Sequence, residues 1–154
     1  MGYGLVEEQV DGRAHLLTWG VLTVRPQLSL GERLHSLYRQ LLELMELYVL
    51  HEVAVEAPFV SVNPRTSMAI GQAQGVTLMA AAALNIPITG YSPLQVKQAV
   101  TGHGSASKEQ VQQAVAMHLL LEPPHPPEDA ADALAVALCH LQSHRAAGVL
   151  YSGT

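Results

Sequence analysis

The distribution of apolar and polar residues along the chain predicts short strands alternating with longer helices. Two runs of mostly branched and aliphatic residues, 1–7 and 15–24, predict strands. The pair Asp11-Gly12 between them favours a tight turn, because aspartate and glycine readily adopt the backbone conformations that hairpin turns require. We therefore expect the chain to begin with a β-hairpin.

A long helix and a short strand are predicted next. From Ser29, a candidate N-cap, leucines recur at spacings of three and four residues, the period of an amphipathic helix, to about Leu50. The apolar run from Val53 to Val55 then predicts a short buried strand that ends at Glu56. Open α/β sheets keep their ligand sites at the carboxyl ends of strands, so Glu56 is a candidate site residue.

The rest of the chain continues the alternation and indicates the fold class. In order, the predicted elements are a helix at 63–85, a strand at 87–91, helices at 92–100 and 107–121, a proline-rich connector at 123–127 and a final helix from 128. In the first of these helices Gly71 and Gly75, one turn apart, favour either tight packing on the chain's own sheet or a self-complementary dimer contact. Together the elements predict a mixed α/β sheet flanked by helices.

Two carboxylates share one face of the final helix. Asp129 and Asp132 are three residues apart and project in nearly the same direction, while Leu134 and Leu138 indicate that the rest of the helix is buried. One explanation is a capped helix whose acidic first turn is stabilised by the macrodipole. The other is a metal site that includes Glu56, because converging carboxylates repel one another without a cation and hard oxygen ligands select Mg²⁺ or Mn²⁺. Such sites usually serve phosphoryl transfer.

Composition limits the class of protein. The 154 residues are 49% hydrophobic and 14% charged, which predicts one globular domain. No long apolar run or secretory leader is visible, and the single Cys139 is most simply a core residue, so we expect a cytoplasmic protein.

Charge limits the possible contacts with nucleic acid. The net charge of −5 argues against a broad basic surface, so any such contact must be local. The only two lysines, Lys97 and Lys108, lie close together in sequence, and Arg65 follows Pro64 in a predicted exposed turn. Composition alone favours ordinary surface charge for all three.

Five motifs, in order and spacing, resemble the RuvC Holliday junction resolvases. They are Ala54-Val-Glu56, Gly71-Gln-Ala-Gln-Gly75, Gln95-Val-Lys-Gln98, Gly102-His-Gly104 with Lys108-Glu-Gln-Val111, and Ala130-Ala-Asp-Ala-Leu-Ala135. The resemblance covers about residues 2–140. It implies a ribonuclease H-like fold and a homodimer that nicks two opposed strands of a four-way DNA junction with Mg²⁺ or Mn²⁺, in recombination and repair. A branch-migration complex is an implied partner, although no patch for it is identifiable.

The resemblance implies roles for individual residues. It makes Glu56, Asp129 and Asp132 metal ligands, with two cations per site in an intact family member. It makes Lys97 and Lys108 the basic residues that meet the scissile phosphate and the junction backbone.

Two further DNA contacts are implied less directly. Phe59 falls where the family places an aromatic residue that stacks on bases at the opened crossover, against the alternative of a core aromatic after a strand. Arg65 is a candidate phosphate contact at the start of the following helix.

The chain departs from the family pattern at its start. Family members begin with a strand of the type Gly-Ile-Asp-Pro-Gly whose aspartate is the first metal ligand, whereas Met1 here aligns with the strand after it and no aspartate precedes Asp11. The absent strand would lie centrally, between 2–9 and 52–56. We expect that an upstream segment was lost through a misassigned start or a truncated chain, which the upstream reading frame would show.

Two alternatives to a junction resolvase follow from this departure. Without the first aspartate, the chain is a catalytically impaired protein that binds junctions. The second alternative is a ribonuclease H-like nuclease that acts on another branched substrate.

Overall fold

The structure is a computed structural model that describes residues 1–57 and 63–147. Its elements in chain order are β1 (Gly2–Glu8), β2 (Ala14–Val21), α1 (Leu30–Leu47), β3 (Val53–Glu56), α2 (Pro64–Ala83), β4 (Ile88–Tyr91), α3 (Pro93–Thr101), α4 (Lys108–His118) and α5 (Glu128–Ala146). The predicted order of strands and helices is confirmed. The class is mixed α/β, as expected.

The described residues divide into two compact units. The first unit contains Met1 and Leu22–Gly90, and the second contains Gly2–Val21 and the described residues from Tyr91 onward. In these residues β3 pairs with β4, and β1 pairs with β2 in an antiparallel ladder that aligns Gly2 with Val21.

The first unit is held together by α1 packed on α2. Ser29 caps α1 in a reciprocal capping box with Glu32, which satisfies two backbone N–H groups at the helix start. The buried face of α1 meets small and branched residues of α2, and alanines there allow the two helix backbones to approach closely. The buried residues of this core are Leu37, Leu41, Met45, Val76, Ala80 and Ala81.

The second unit is built around α5. Leu134 is fully buried and Cys139 almost so, in agreement with the expected core role of both. Helices α3 and α4 pack against α5, and the Tyr91 hydroxyl lies 2.9 Å from Nδ1 of His140, which joins the end of β4 to α5. None of the described helices combines the length and the apolar character needed to cross a bilayer.

Glycines serve two purposes in the hairpin. Gly12 has a φ of 80° in the turn, a conformation that glycine adopts without strain. Gly2 and Gly4 allow strand β1 to approach α5 closely. A Cβ added at Gly2 would lie 1.9 Å from the backbone oxygen of Asp129, and one at Gly4 would lie 2.4 Å from Cδ2 of Leu134. Strand β1 therefore lies directly against the start of α5, where the two predicted aspartates are.

Candidate functional site

The start of α5 presents an uncapped, acidic first turn. Pro127 occupies the N-cap and has no side-chain group that accepts a hydrogen bond, so neither aspartate is the cap of this helix. Glu128 and Asp129 form the first turn, where the helix dipole favours negative charge. Both side chains are exposed. The acidic residues therefore interact favourably with the helix dipole, as that explanation expects, but neither of the two aspartates caps the helix.

Asp132 lies one turn further along, partly buried among other charges. Its side chain is 47% exposed, and its Oδ2 lies 3.5 Å from Nζ of Lys108. Burial raises the pKa of the Asp132 carboxyl; the Lys108 ammonium lowers it, and the charges of Glu128 and Asp129 raise it again. Three carboxylates are thus close enough to repel one another, and a cation beside them would relieve that repulsion.

Lys108 supplies a positive charge to this cluster from another helix. It is the first residue of α4, directly after Ser107, whose side chain caps that helix. Its ammonium contacts the Glu128 carboxylate as well as Asp132, and the hydrogen bond to Glu128 is the main reason that the pKa of Lys108 is raised. The lysine predicted to contact phosphate and the predicted metal-binding aspartate are therefore in contact.

The loop between α3 and α4 connects the two lysines and has hydrogen bonds of its own. Lys97 is half-buried on α3, and the Thr101 hydroxyl donates to its carbonyl oxygen over 2.8 Å. The Gln98 side-chain amide donates to the carbonyl oxygen of Gly102 over 2.8 Å, and Gly102 ends α3 with a φ of 85°. These bonds fix the chain path from Lys97 towards Lys108.

Glu56 lies in the first unit, at the exposed end of β3. The Gln74 side-chain amide on α2 donates to the backbone carbonyl of Glu56 over 2.6 Å. Gln74 belongs to the Gly71-Gln-Ala-Gln-Gly75 motif. This motif therefore holds the end of β3, which carries the Glu56 carboxylate.

Of the two remaining predicted DNA contacts, Arg65 and Phe59, the structure describes only Arg65. Arg65 is exposed in the first turn of α2, and its backbone N–H donates to Oδ1 of Asn63 over 3.0 Å. Phe59 lies outside the described residues.

The structure therefore brings together only part of the predicted set. Asp129, Asp132 and Lys108 form one cluster in the second unit, which also contains Lys97, whereas Glu56 and Arg65 belong to the first. Sequence reasoning missed Glu128 as the principal partner of Lys108. Its signal was the four-residue spacing from Asp132, which places both carboxylates on one helix face.

Comparison with sequence families gives one match over most of the chain. Residues 1–140 match the family described as crossover junction endodeoxyribonuclease RuvC. A protein of that name from Syntrophomonas wolfei is 46% identical over 151 residues, which cover 98% of this chain and 87% of the relative. Another from a Roseiflexus species is 47% identical over 140 residues, or 91% of this chain and 83% of the relative.

Comparison with solved structures agrees. The structure of Thermus thermophilus RuvC in complex with a Holliday junction substrate superposes with a TM-score of 0.88 at 36% identity, covering 96% of this chain and 89% of the other. A second Thermus thermophilus RuvC structure gives a TM-score of 0.85 at 35% identity, covering 96% and 90%.

Proposed function

The chain belongs to the RuvC family of crossover junction endodeoxyribonucleases, and we propose that it resolves four-way DNA junctions by metal-dependent nicking of two opposed strands. Its fold is the mixed α/β, ribonuclease H-like fold of that family. The reaction is hydrolysis of DNA phosphodiester bonds, in recombination and repair. The observation that carries the proposal is the cluster of Asp129, Asp132 and Lys108 at the start of α5.

The carboxylates suit the divalent metal on which the family depends. Asp129 and Asp132 offer only hard oxygen donors, and their mutual repulsion would fall if a cation lay between them. We propose Asp129 and Asp132 as ligands of Mg²⁺ or Mn²⁺, and Glu56 stays a predicted ligand. When bound, the metal would activate a water molecule and stabilise the leaving 3′ oxygen.

The two lysines would offset the negative charge of the phosphate. The Lys108 ammonium already lies at the edge of the carboxylate cluster, so a phosphate that enters there meets a positive charge. Lys97, at the other end of the hydrogen-bonded loop, would contact the neighbouring backbone.

Two residues of the first half would extend the DNA contact. Arg65 is exposed in the first turn of α2, from which its guanidinium would reach a phosphate. Phe59 would stack on unpaired bases at the crossover, a contact typically worth about 1–3 kcal/mol per base.

A homodimer would explain paired nicking. Helix α2 exposes Met68, Leu78 and Met79, which are 64%, 49% and 65% exposed. A Cβ at Gly71 or Gly75 would meet no atom of the described residues within 4 Å, so packing within the described chain does not account for these glycines. Of the two explanations for the glycines, this favours the dimer contact. A branch-migration partner and a cytoplasmic location remain predictions.

Substrate selectivity tests the proposal. The native chain is incubated with Mg²⁺ and equal amounts of a four-way junction, a three-way junction, a linear duplex and an RNA–DNA hybrid that share one arm sequence. We expect paired nicks in the four-way junction and little product from the others. Preferential cleavage of another substrate would support the broader ribonuclease H-like alternative, and junction binding without cleavage would support the impaired binding protein.

A further inference from the structure

Lys108 has two acidic partners on one face of α5, and only one of them is a proposed metal ligand. Its ammonium contacts the carboxylate of Glu128 and lies 3.5 Å from that of Asp132. Glu128 and Asp132 are four residues apart and therefore neighbours on the helix surface. Glu128 has no part in the roles assigned above.

Glu128 and Asp132 differ in their other proposed contacts and in their exposure. A carboxylate of Asp132 that ligates a metal ion directs its oxygens to that ion and offers less to Lys108. Glu128 is more exposed, at 62%, and stands at the first position of α5, so it remains available to Lys108. Lysine is a long and flexible side chain, and a fixed partner restricts the positions that its ammonium occupies.

We propose that Glu128 is a positioning residue for Lys108: its carboxylate holds the ammonium at the edge of the carboxylate cluster and releases it to a phosphate of bound DNA. The part of this inference that concerns DNA rests on the proposed function. The ion pair restrains Lys108 before DNA binds, so Glu128 competes with the phosphate for the ammonium and weakens binding. In return the ammonium starts close to the reacting phosphate, which raises the rate of cleavage.

Amine labelling tests the restraint without any DNA or metal. The chain has only two lysines, so Lys97 is an internal reference within the same molecule. In Glu128→Gln, labelling of Lys108 relative to Lys97 should increase about two- to fivefold, the size expected for loss of one surface ion pair. Glu109→Gln is the matched control, because Glu109 is exposed and interacts with Lys108 through charge alone, with no hydrogen bond to it among the described residues. An unchanged ratio in Glu128→Gln would overturn the inference.

Junction binding in metal-free buffer tests the competition. Glu128→Gln should bind a four-way junction about two- to fivefold more tightly than Glu109→Gln does, since both remove one negative charge and only one releases Lys108. In a Lys108→Ala background the two substitutions should have equal effects. Equal effects with Lys108 present would contradict the competition.

Cleavage separates positioning from metal binding. Glu128→Gln should lower the single-turnover rate about threefold or more while the Mg²⁺ concentration for half-maximal rate stays unchanged. A higher Mg²⁺ requirement would make Glu128 a metal ligand and overturn the inference. If the native chain fails to bind junctions, the proposed function is wrong, whereas the labelling ratio still decides whether Glu128 restrains Lys108.

Discussion

Asp132, a proposed metal ligand, carries a charge that lowers the stability of the folded chain. Its pKa is raised by burial and by neighbouring carboxylates, and Lys108 offsets only part of that effect. An acid whose pKa is raised on folding binds its proton more tightly in the folded state, so its ionised form costs stability. A side chain chosen for stability alone would be neutral at this position.

We predict that Asp132→Asn stabilises the metal-free protein at neutral pH. The cost of ionisation is present above the raised pKa and fades as the pH falls towards the ordinary value of 3.8. The gain should be less than about 1 kcal/mol, because the side chain is almost half exposed and solvent screens its charge.

Urea unfolding in EDTA at several pH values measures this effect. The difference between native and variant free energies of unfolding should be largest near pH 7 and should shrink towards pH 4. A variant that is less stable than the native chain at pH 7 would contradict the prediction.

Among single residues, the sequence revealed the charged candidates and missed the residues that contact them. Asp129 and Asp132 were found by their three-residue spacing and Lys108 by motif order, and the structure places all three in one cluster. Glu128 and Gln74 were given no role, although Gln74 lies within the Gly71-Gln-Ala-Gln-Gly75 motif, because a surface glutamate and a helical glutamine have many ordinary explanations. Their roles depend on contacts with residues at least 18 positions away, which no local pattern encodes.

Helix ends show the same contrast between local and tertiary information. Three helices begin at the serines that cap them, Ser29, Ser92 and Ser107, because each capping box lies within four residues of sequence. The ends of α1 and α4, at Leu47 and His118, come about three residues earlier than the sequence predicts. There the backbone turns at Val49 and Leu120, whose φ angles are 48° and 52°, and neither is the glycine that usually signals such a stop.

We predict that Val49→Gly and Leu120→Gly each stabilise the protein. A left-handed conformation strains residues with a Cβ, and a branched one most, so each substitution should add about 1 kcal/mol. Little burial is lost, because the two residues are 73% and 81% exposed.

Thermal unfolding of the single variants measures the gain. Asn85→Gly is the matched control, since Asn85 has a φ of 56° but asparagine tolerates that region, and its melting temperature should rise less. A lower melting temperature for both glycine variants would show that no strain is relieved at these positions.

For the molecule as a whole, the sequence predicted the elements better than their grouping. The second unit joins the hairpin of residues 2–21 to helices that begin 70 or more positions later, and only tertiary contacts reveal that association. Close approaches such as Gly2 against the backbone of Asp129 are equally invisible in periodicity. The exposed apolar side of α2 is likewise a property of the folded chain.

We propose a homodimer contact through α2, and we therefore predict that Leu78→Glu makes the protein monomeric. A charge placed in the exposed stripe of α2 would be buried without a partner on association, which typically costs several kcal/mol. The chain's own fold should be unaffected, because Leu78 is 49% exposed.

Sedimentation velocity at a fixed concentration measures the association state. Leu47→Glu is the control, since Leu47 is also an exposed leucine, at 74%, but lies on α1. It should remain dimeric. Two variants with the same sedimentation coefficient would exclude α2 as the interface.

We propose that the carboxylates at the start of α5 perform metal-dependent cleavage of junctions. The most direct measurement is single-turnover cleavage of a synthetic four-way junction by the native chain and by Asp132→Asn, with and without Mg²⁺, and with binding measured in parallel. We predict paired nicks only with Mg²⁺, and a rate at least about 100-fold lower in Asp132→Asn with binding retained. Cleavage without a divalent metal, or equal rates for the two proteins, would show that these carboxylates are not the metal-dependent cleavage site.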